Sequence, residues 1–226
     1  MEKILDLINK LKTSTSDNTT QNLQEINKII LSEYQINIGG KKIIPLEVEA
    51  YYYNQKTFPD SYVHKNDLQK NRFGKLYFHR AGPNKDSALK YGKPRGVDIC
   101  LSNSEDFYFG LLIRSANIDG QIVVGPQSLA QKIATKKNYM EMEKEVVLEH
   151  SHNNLGKYAP FHTIRYGLNP AKDTYFYNLN LRSIADLKIK NIKLREDIAK
   201  QFLQNIPSEK RAEVSKEIIG YNLKIN

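Results

Sequence analysis

Hydrophobic residues recur at helical spacing at the start of the chain: Ile4, Leu5, Leu7, Ile8 and Leu11, then Leu23, Ile26, Ile29 and Ile30 after a polar stretch over residues 13–22. The pattern predicts two short amphipathic helices. From Ile36 the period shortens to that of a strand. Ile36 and Ile38, the Gly39-Gly40 turn and the β-branched and aromatic run over 41–53 predict a hairpin with a long second arm. A polar span over 54–71 reads as a loop, 76–79 as a short strand, and 81–96, rich in Gly, Pro, Lys and Asp, as a second loop. Strands are predicted at 97–101, 107–118 and 121–124, with Asp119-Gly120 turning between the last two. Helices follow at 127–135 and 140–149, strands at 161–168 and 174–181, and helices at 192–206 and 208–219, the last with Ser208 as N-cap. The expected class is α+β in one domain spanning 1–226. Helices occupy 1–35, a curved, mostly antiparallel sheet carrying the pocket occupies 36–182, and helices occupy 183–226.

One local pattern in the long strand bears on chemistry. Strand side chains alternate between faces, so Glu47 and Glu49 share one side, and Val48 and Ala50 share the other. Two acids on one side of an apolar strand either face solvent or line a polar pocket, and the strand pattern alone supports both readings.

Composition narrows the classes. With 226 residues, 40% apolar and 26% charged, the chain has the material for an ordinary core and is not expected to be disordered. No apolar run approaches the roughly 20 residues that cross a bilayer, and residues 1–11 mix charged and amide side chains with their hydrophobics, unlike a signal peptide. The single cysteine, Cys100, forms no internal disulfide, which fits a reducing compartment, so a cytoplasmic protein is expected. The net charge of +9 favours polyanions, nucleic acid first, although a lysine-rich surface also serves solubility alone. His150 and His152 lack the spacing of a metal pair, and neither a serine-nucleophile elbow nor a phosphate-cradling glycine loop occurs. No metal or cofactor is expected.

Several fragments in order resemble the alkyladenine (3-methyladenine) DNA glycosylase family. They are Leu46-Glu47-Val48-Glu49-Ala50-Tyr51, Asp60 with His64, Gly74-Lys75-Leu76-Tyr77, Leu111-Leu112-Ile113-Arg114, Gly125-Pro126 and Arg165-Tyr166-Gly167-Leu168. The resemblance spans roughly residues 29–181, and its signal is the order of the fragments, since each alone is common. It implies the family's barrel-like fold, akin to a formyltransferase C-terminal domain, and a monofunctional glycosylase that flips an altered purine out of duplex DNA. It also implies Glu49 as the carboxylate that activates water and favours an oxocarbenium-like transition state. Arg114 would hold the water or an adjacent phosphate, and the Leu168 carbonyl would contact the water. Tyr51 would wall the base pocket and His64 would stand at its edge. The structural alternatives are a buried Arg114–Glu49 pair, a Tyr51 that is plain core and a His64 without a role. The implied partner is double-stranded DNA with a damaged base, bound by a monomer with no obligate protein partner and no membrane.

The chain departs from the family at two pocket positions. His79 stands where a second stacking tyrosine is usual, and Asp98 where an asparagine is usual, which puts substrate choice in doubt. The family's intercalating hairpin is not cleanly present. The longer segment 80–96 offers Tyr91 with Lys85, Lys90, Lys93 and Arg95 as candidate DNA contacts, or is a plain surface loop. Two other functions stay open: a non-catalytic nucleic-acid-binding relative, and a hydrolase of a small nucleoside-like molecule.

Overall fold

A computed structural model describes residues 2–79, 94–134, 139–153 and 157–225. Two helices, α1 (Glu2–Leu11) and α2 (Ser16–Glu33), lead into the hairpin of β1 (Tyr34–Ile38) and β2 (Lys41–Asn54). β3 (Phe58–Pro59), β4 (Leu76–Phe78), β5 (Val97–Cys100), β6 (Tyr108–Ile118) and β7 (Gln121–Val124) follow, then α3 (Pro126–Ile133) and α4 (Tyr139–Met142). β8 (Leu148–His150), β9 (Phe161–Thr163), α5 (Thr174–Tyr177), β10 (Arg182–Ile184), α6 (Arg195–Gln204) and α7 (Arg211–Ile219) complete the order. The architecture is mixed α+β: a curled antiparallel sheet with flanking helices. Among the described residues no helix is long and apolar enough to cross a membrane.

β2 is the spine of the sheet. One of its edges pairs with β6 along most of its length, while β1, β10 and β3 share the other edge in succession. Val48, Ala50 and Tyr52 are fully buried in one core cluster with Leu23, Ile26 and Ile30 of α2. Tyr52 lies within 6 Å, ring centre to ring centre, of Phe58, Phe107 and Phe109, and its hydroxyl donates to the Leu11 carbonyl. Each fully buried side chain of this size contributes about 1.5–3 kcal/mol, so the apolar face of β2 fixes the strand's register. A second cluster joins β10 to α6 and α7 through Ile184, Ile198, Phe202 and Ile218.

The opposite face of β2 carries Glu47, Glu49 and Tyr51, and there the ladder is irregular. The register with β6 shifts between Pro45 and Glu47 and again between Glu47 and Val48. Pro45 has no N–H to give, so it fits at such a bulge. On β6 the second shift leaves Arg114 between Ile113, opposite Val48, and Ser115, opposite Glu47. Bulges of this kind re-aim side chains. The regular ladder beyond them sets Asp98, Leu112, Glu49 and Arg182 side by side on four neighbouring strands.

Four sequence expectations need correction. The helix expected at 140–149 stops at Met142, because Leu148–His150 pairs with the exposed edge of β1. The strand expected at 161–168 ends at Thr163. Residues 174–181 begin as a helical turn, because the Asp173 side chain caps the Phe176 amide at 3.2 Å and Phe176 packs against Phe58. The strand β10 comes afterwards. Ser208 does not cap the last helix: its hydroxyl turns to Glu209, and α7 starts at Arg211 without a side-chain cap.

Candidate active site

Glu47 and Glu49 are 2% and 0% exposed, so the acidic side of β2 is a buried polar cluster and not a solvated edge. Glu47 Oε1 accepts from Arg182 Nε at 2.8 Å and Arg114 Nε at 3.1 Å, and its Oε2 accepts from Ser115 Oγ at 2.6 Å. Glu49 Oε1 accepts the Tyr166 amide at 2.8 Å, and Oε2 accepts Tyr51 OH at 3.0 Å and Arg114 Nη1 at 3.3 Å. The two guanidiniums balance the two carboxylates, which is what keeps four ionised groups tolerable away from water. Burial works against the charge of Arg114, but the adjacent Glu49 and then Glu47 outweigh it and raise its pKa. Burial, followed by the Glu49 charge, pushes the Tyr51 phenol well above its ordinary value, so Tyr51 stays a donor to Glu49.

A second buried pair braces this cluster from behind. Arg165 Nη1 bonds Asp60 Oδ2 at 2.6 Å and the Ala50 carbonyl at 3.2 Å, and Nη2 bonds the Phe176 carbonyl at 3.0 Å. The Arg165 guanidinium lies 4.7 Å from the centre of the Tyr51 ring and 5.5 Å from that of Tyr62. Tyr51 is thereby held by a cation on its ring and a carboxylate at its hydroxyl. Arg114 is likewise placed 5.2 Å from the ring centre of the exposed Tyr166.

A third group lies across Leu112 from Glu49. His79 Nε2 and Asp98 Oδ1 are 2.6 Å apart, and Gln69 Nε2 donates to Asp98 Oδ2 at 2.9 Å. Gly110 makes room for this contact: a Cβ there would sit 2.3 Å from Asp98 Oδ2 and 2.5 Å from Gln69 Nε2. The His64 and His79 rings meet edge to face at 4.7 Å. Although His64 is exposed, the protein around its imidazole lowers its pKa by desolvation, with His79 adding to the shift.

No protein-family model matches the chain, and no curated protein matches it. Glu49, Arg114 and Tyr51 are in direct contact; His79, Asp98 and His64 form a neighbouring group; Leu168 is half-buried against the core, two residues beyond the amide that binds Glu49. Lys85, Lys90, Tyr91 and Lys93 lie outside the described residues, whereas Arg95 is exposed. Arg95 lines a cleft of about 730 Å³ together with Glu47, Arg114, Tyr166, Lys193 and the first residues of α3. His150 and His152 touch each other on the surface, and no group of three or more metal-binding side chains occurs among the described residues.

Sequence reasoning missed Arg182, Gln69 and the bracing role of Arg165. A signal for Arg182 existed: Glu47, Glu49 and Arg114 in apolar strands leave one negative charge unbalanced, which calls for a second buried cation.

Proposed function

We propose that this protein hydrolyses the N-glycosidic bond of an altered purine nucleotide flipped out of duplex DNA, using a water activated by Glu49. The observation that carries the reading is the Glu49 carboxylate, buried and oriented by the Tyr166 amide, Tyr51 and Arg114. A carboxylate has about four acceptor positions, and these contacts use three of them, so one position is left for a water. Departure of a purine leaves positive charge on the sugar, and an ionised carboxylate at that spot favours it most in a dry site. Arg114 offsets the negative charge of Glu49 and gives the incoming phosphate or water a donor. Since Glu49 is closed off in the free protein, the nucleotide must displace the Tyr51 hydroxyl or the Arg114 guanidinium from Oε2 to reach it.

Under this reading the sheet is a glycosylase-type barrel. The His79–Asp98–Gln69 group then forms part of the base pocket, and Asp98 acts mainly by orienting His79, because both of its oxygens are already engaged. A hydrolase of small nucleoside-like molecules is a second reading. The cleft volume favours it, since about 300–1,000 Å³ is typical of small-molecule sites. Incubating the protein with duplexes bearing alkylated, deaminated or oxidised purines, and in parallel with the free nucleosides, tests both. Free base from a duplex supports the first reading, and free base from nucleosides alone supports the second.

A further inference from the structure

We propose that the exposed ring of Tyr166 is a stacking platform for a base of a nucleic-acid strand, the base next to the one whose glycosidic bond is cut. Tyr166 is 36% exposed and lines the cleft at the Glu47 end of the site. Its backbone is pinned at two points: its own amide donates to Glu49 Oε1 at 2.8 Å, and the preceding Arg165 is buried against Asp60. The ring is held as well. The Arg114 guanidinium lies over it, 5.2 Å from the ring centre, and that guanidinium is itself fixed by Glu47 and Glu49. Among the described residues no other ring or cation meets the Tyr166 ring, so the face away from Arg114 is open to the cleft. A ring already immobilised loses little freedom when a flat partner stacks on it, and every base offers a π face.

Tyr51, the other aromatic beside Glu49, is already engaged. It carries the Arg165 guanidinium 4.7 Å from its ring centre and gives its hydroxyl to Glu49. The cleft has further apolar lining from β7, through Val124 and through Ile122, which is 53% exposed. An exposed aromatic and an exposed aliphatic side chain in one concave site are surfaces that an apolar ligand covers. An inorganic anion would leave both in water. A nucleobase covers them, and Arg95 and Lys193 in the same cleft suit the phosphates that join bases in a strand.

That this base belongs to a strand rests on the glycosylase reading, which sets the reacting base against His79. The His79–Asp98–Gln69 group lies across Leu112 from Glu49. The cleft opens in another direction, further along β6 at Arg114 and beside Glu47. Two recognition places reached in different directions from one carboxylate fit a ligand with two bases, the reacting one in the first and its neighbour in the second. A free nucleoside fills only one of them.

The chain has no tryptophan, so Tyr166→Trp places a single fluorescent reporter on the platform. The full chain carrying it is titrated with a single-stranded deoxyadenosine tetranucleotide, with deoxyadenosine and with inorganic phosphate. The strand is expected to quench the emission saturably, at a concentration about tenfold or more below that of deoxyadenosine, and phosphate is expected to leave it unchanged. Binding of a labelled tetranucleotide, read by fluorescence anisotropy, separates stacking from apolar burial. Tyr166→Phe should bind it as the parent does, while Tyr166→Ala and Tyr166→Leu should both bind it about tenfold more weakly, because leucine restores apolar area without a π face. If Tyr166→Ala melts below the parent, the contrast between Phe and Leu decides. None of these readouts needs cleavage: quenching by the strand without release of a base from any lesion-bearing duplex supports the platform and counts against the glycosylase reading alone. No quenching by the strand, equal quenching by deoxyadenosine, or unchanged strand affinity in Tyr166→Leu overturns the proposal, whether or not the parent releases a base.

Discussion

Glu47→Gln removes one charge from the middle of the buried cluster while keeping the side-chain volume. In the native protein Glu47 receives both guanidiniums on Oε1 and Ser115 on Oε2. An amide retains one acceptor oxygen and turns an NH2 either toward the two arginines or toward the serine hydroxyl. The cluster then holds Arg114, Arg182 and Glu49, with one positive charge in excess and one donor facing another. Removing one partner of a buried pair costs about 3–5 kcal/mol, a large part of the roughly 5–15 kcal/mol that holds a domain together. At about 2–4 °C per kcal/mol for a chain of this length, Tm should fall by about 6–20 °C. Glu49→Gln should cost less, because among the described residues Glu49 receives only one guanidinium hydrogen bond, and the Tyr166 amide can still find an oxygen. Urea unfolding followed by circular dichroism gives both values. A loss below about 1 kcal/mol for Glu47→Gln, within the range of a surface pair, would refute the view that this cluster ties β2, β6 and β10 together.

Three further outcomes follow from the geometry. Gly110→Ala should push Gln69 off Asp98 and lower stability by about 1–3 kcal/mol, the usual cost of overpacking, measurable by chemical unfolding, because the new Cβ would sit 2.3 Å from Asp98 Oδ2. Burial, then the nearby Lys28, lowers the pKa of His162, with Glu25 opposing. The folded protein therefore binds this proton less readily than the unfolded chain, whose histidine titrates near about 6.5. Stability should decline as pH falls through that value until the lower folded pKa is passed, and the decline should be shallower in His162→Gln, as read from unfolding midpoints across the pH range. Binding to undamaged duplex should weaken steeply with salt, with a log–log slope near about −3.6 if about four phosphates are neutralised; a flat response in a binding titration would rule out a DNA-binding face.

The parts of the fold legible in sequence are those carried by local periodicity. The alternation of Glu47, Glu49 and Tyr51 against Val48, Ala50 and Tyr52 fixed which side of β2 is apolar, and Gly39-Gly40 and Asp119-Gly120 marked the turns. What was hidden depends on partners far along the chain. β8 exists because β1 offers an edge, and β10 is three residues long, too short for a period of its own. Within the site, the contact of Glu49 with Arg114 was foreseen from the ordered fragments, whereas its burial was left open, because alternation cannot tell a solvated acid from one enclosed by partners such as Tyr166 and Arg182, 117 and 135 positions from the glutamates they bind. Asp98 read as a pocket carboxylate in the place of an asparagine, and its engagement by Gln69 and His79, which the missing Cβ of Gly110 allows, had no sequence signal.

The central claim is that Glu49 activates water for release of a base, and single-turnover release from lesion-bearing duplex tests it most directly. The parent should free a base from at least one altered purine in the panel. Glu49→Gln should bind the same duplex and release that base about 10² to 10⁴ times more slowly, the usual contribution of a general base. Release at the parent rate by Glu49→Gln, or no release by the parent from any duplex while it binds them, would contradict the account.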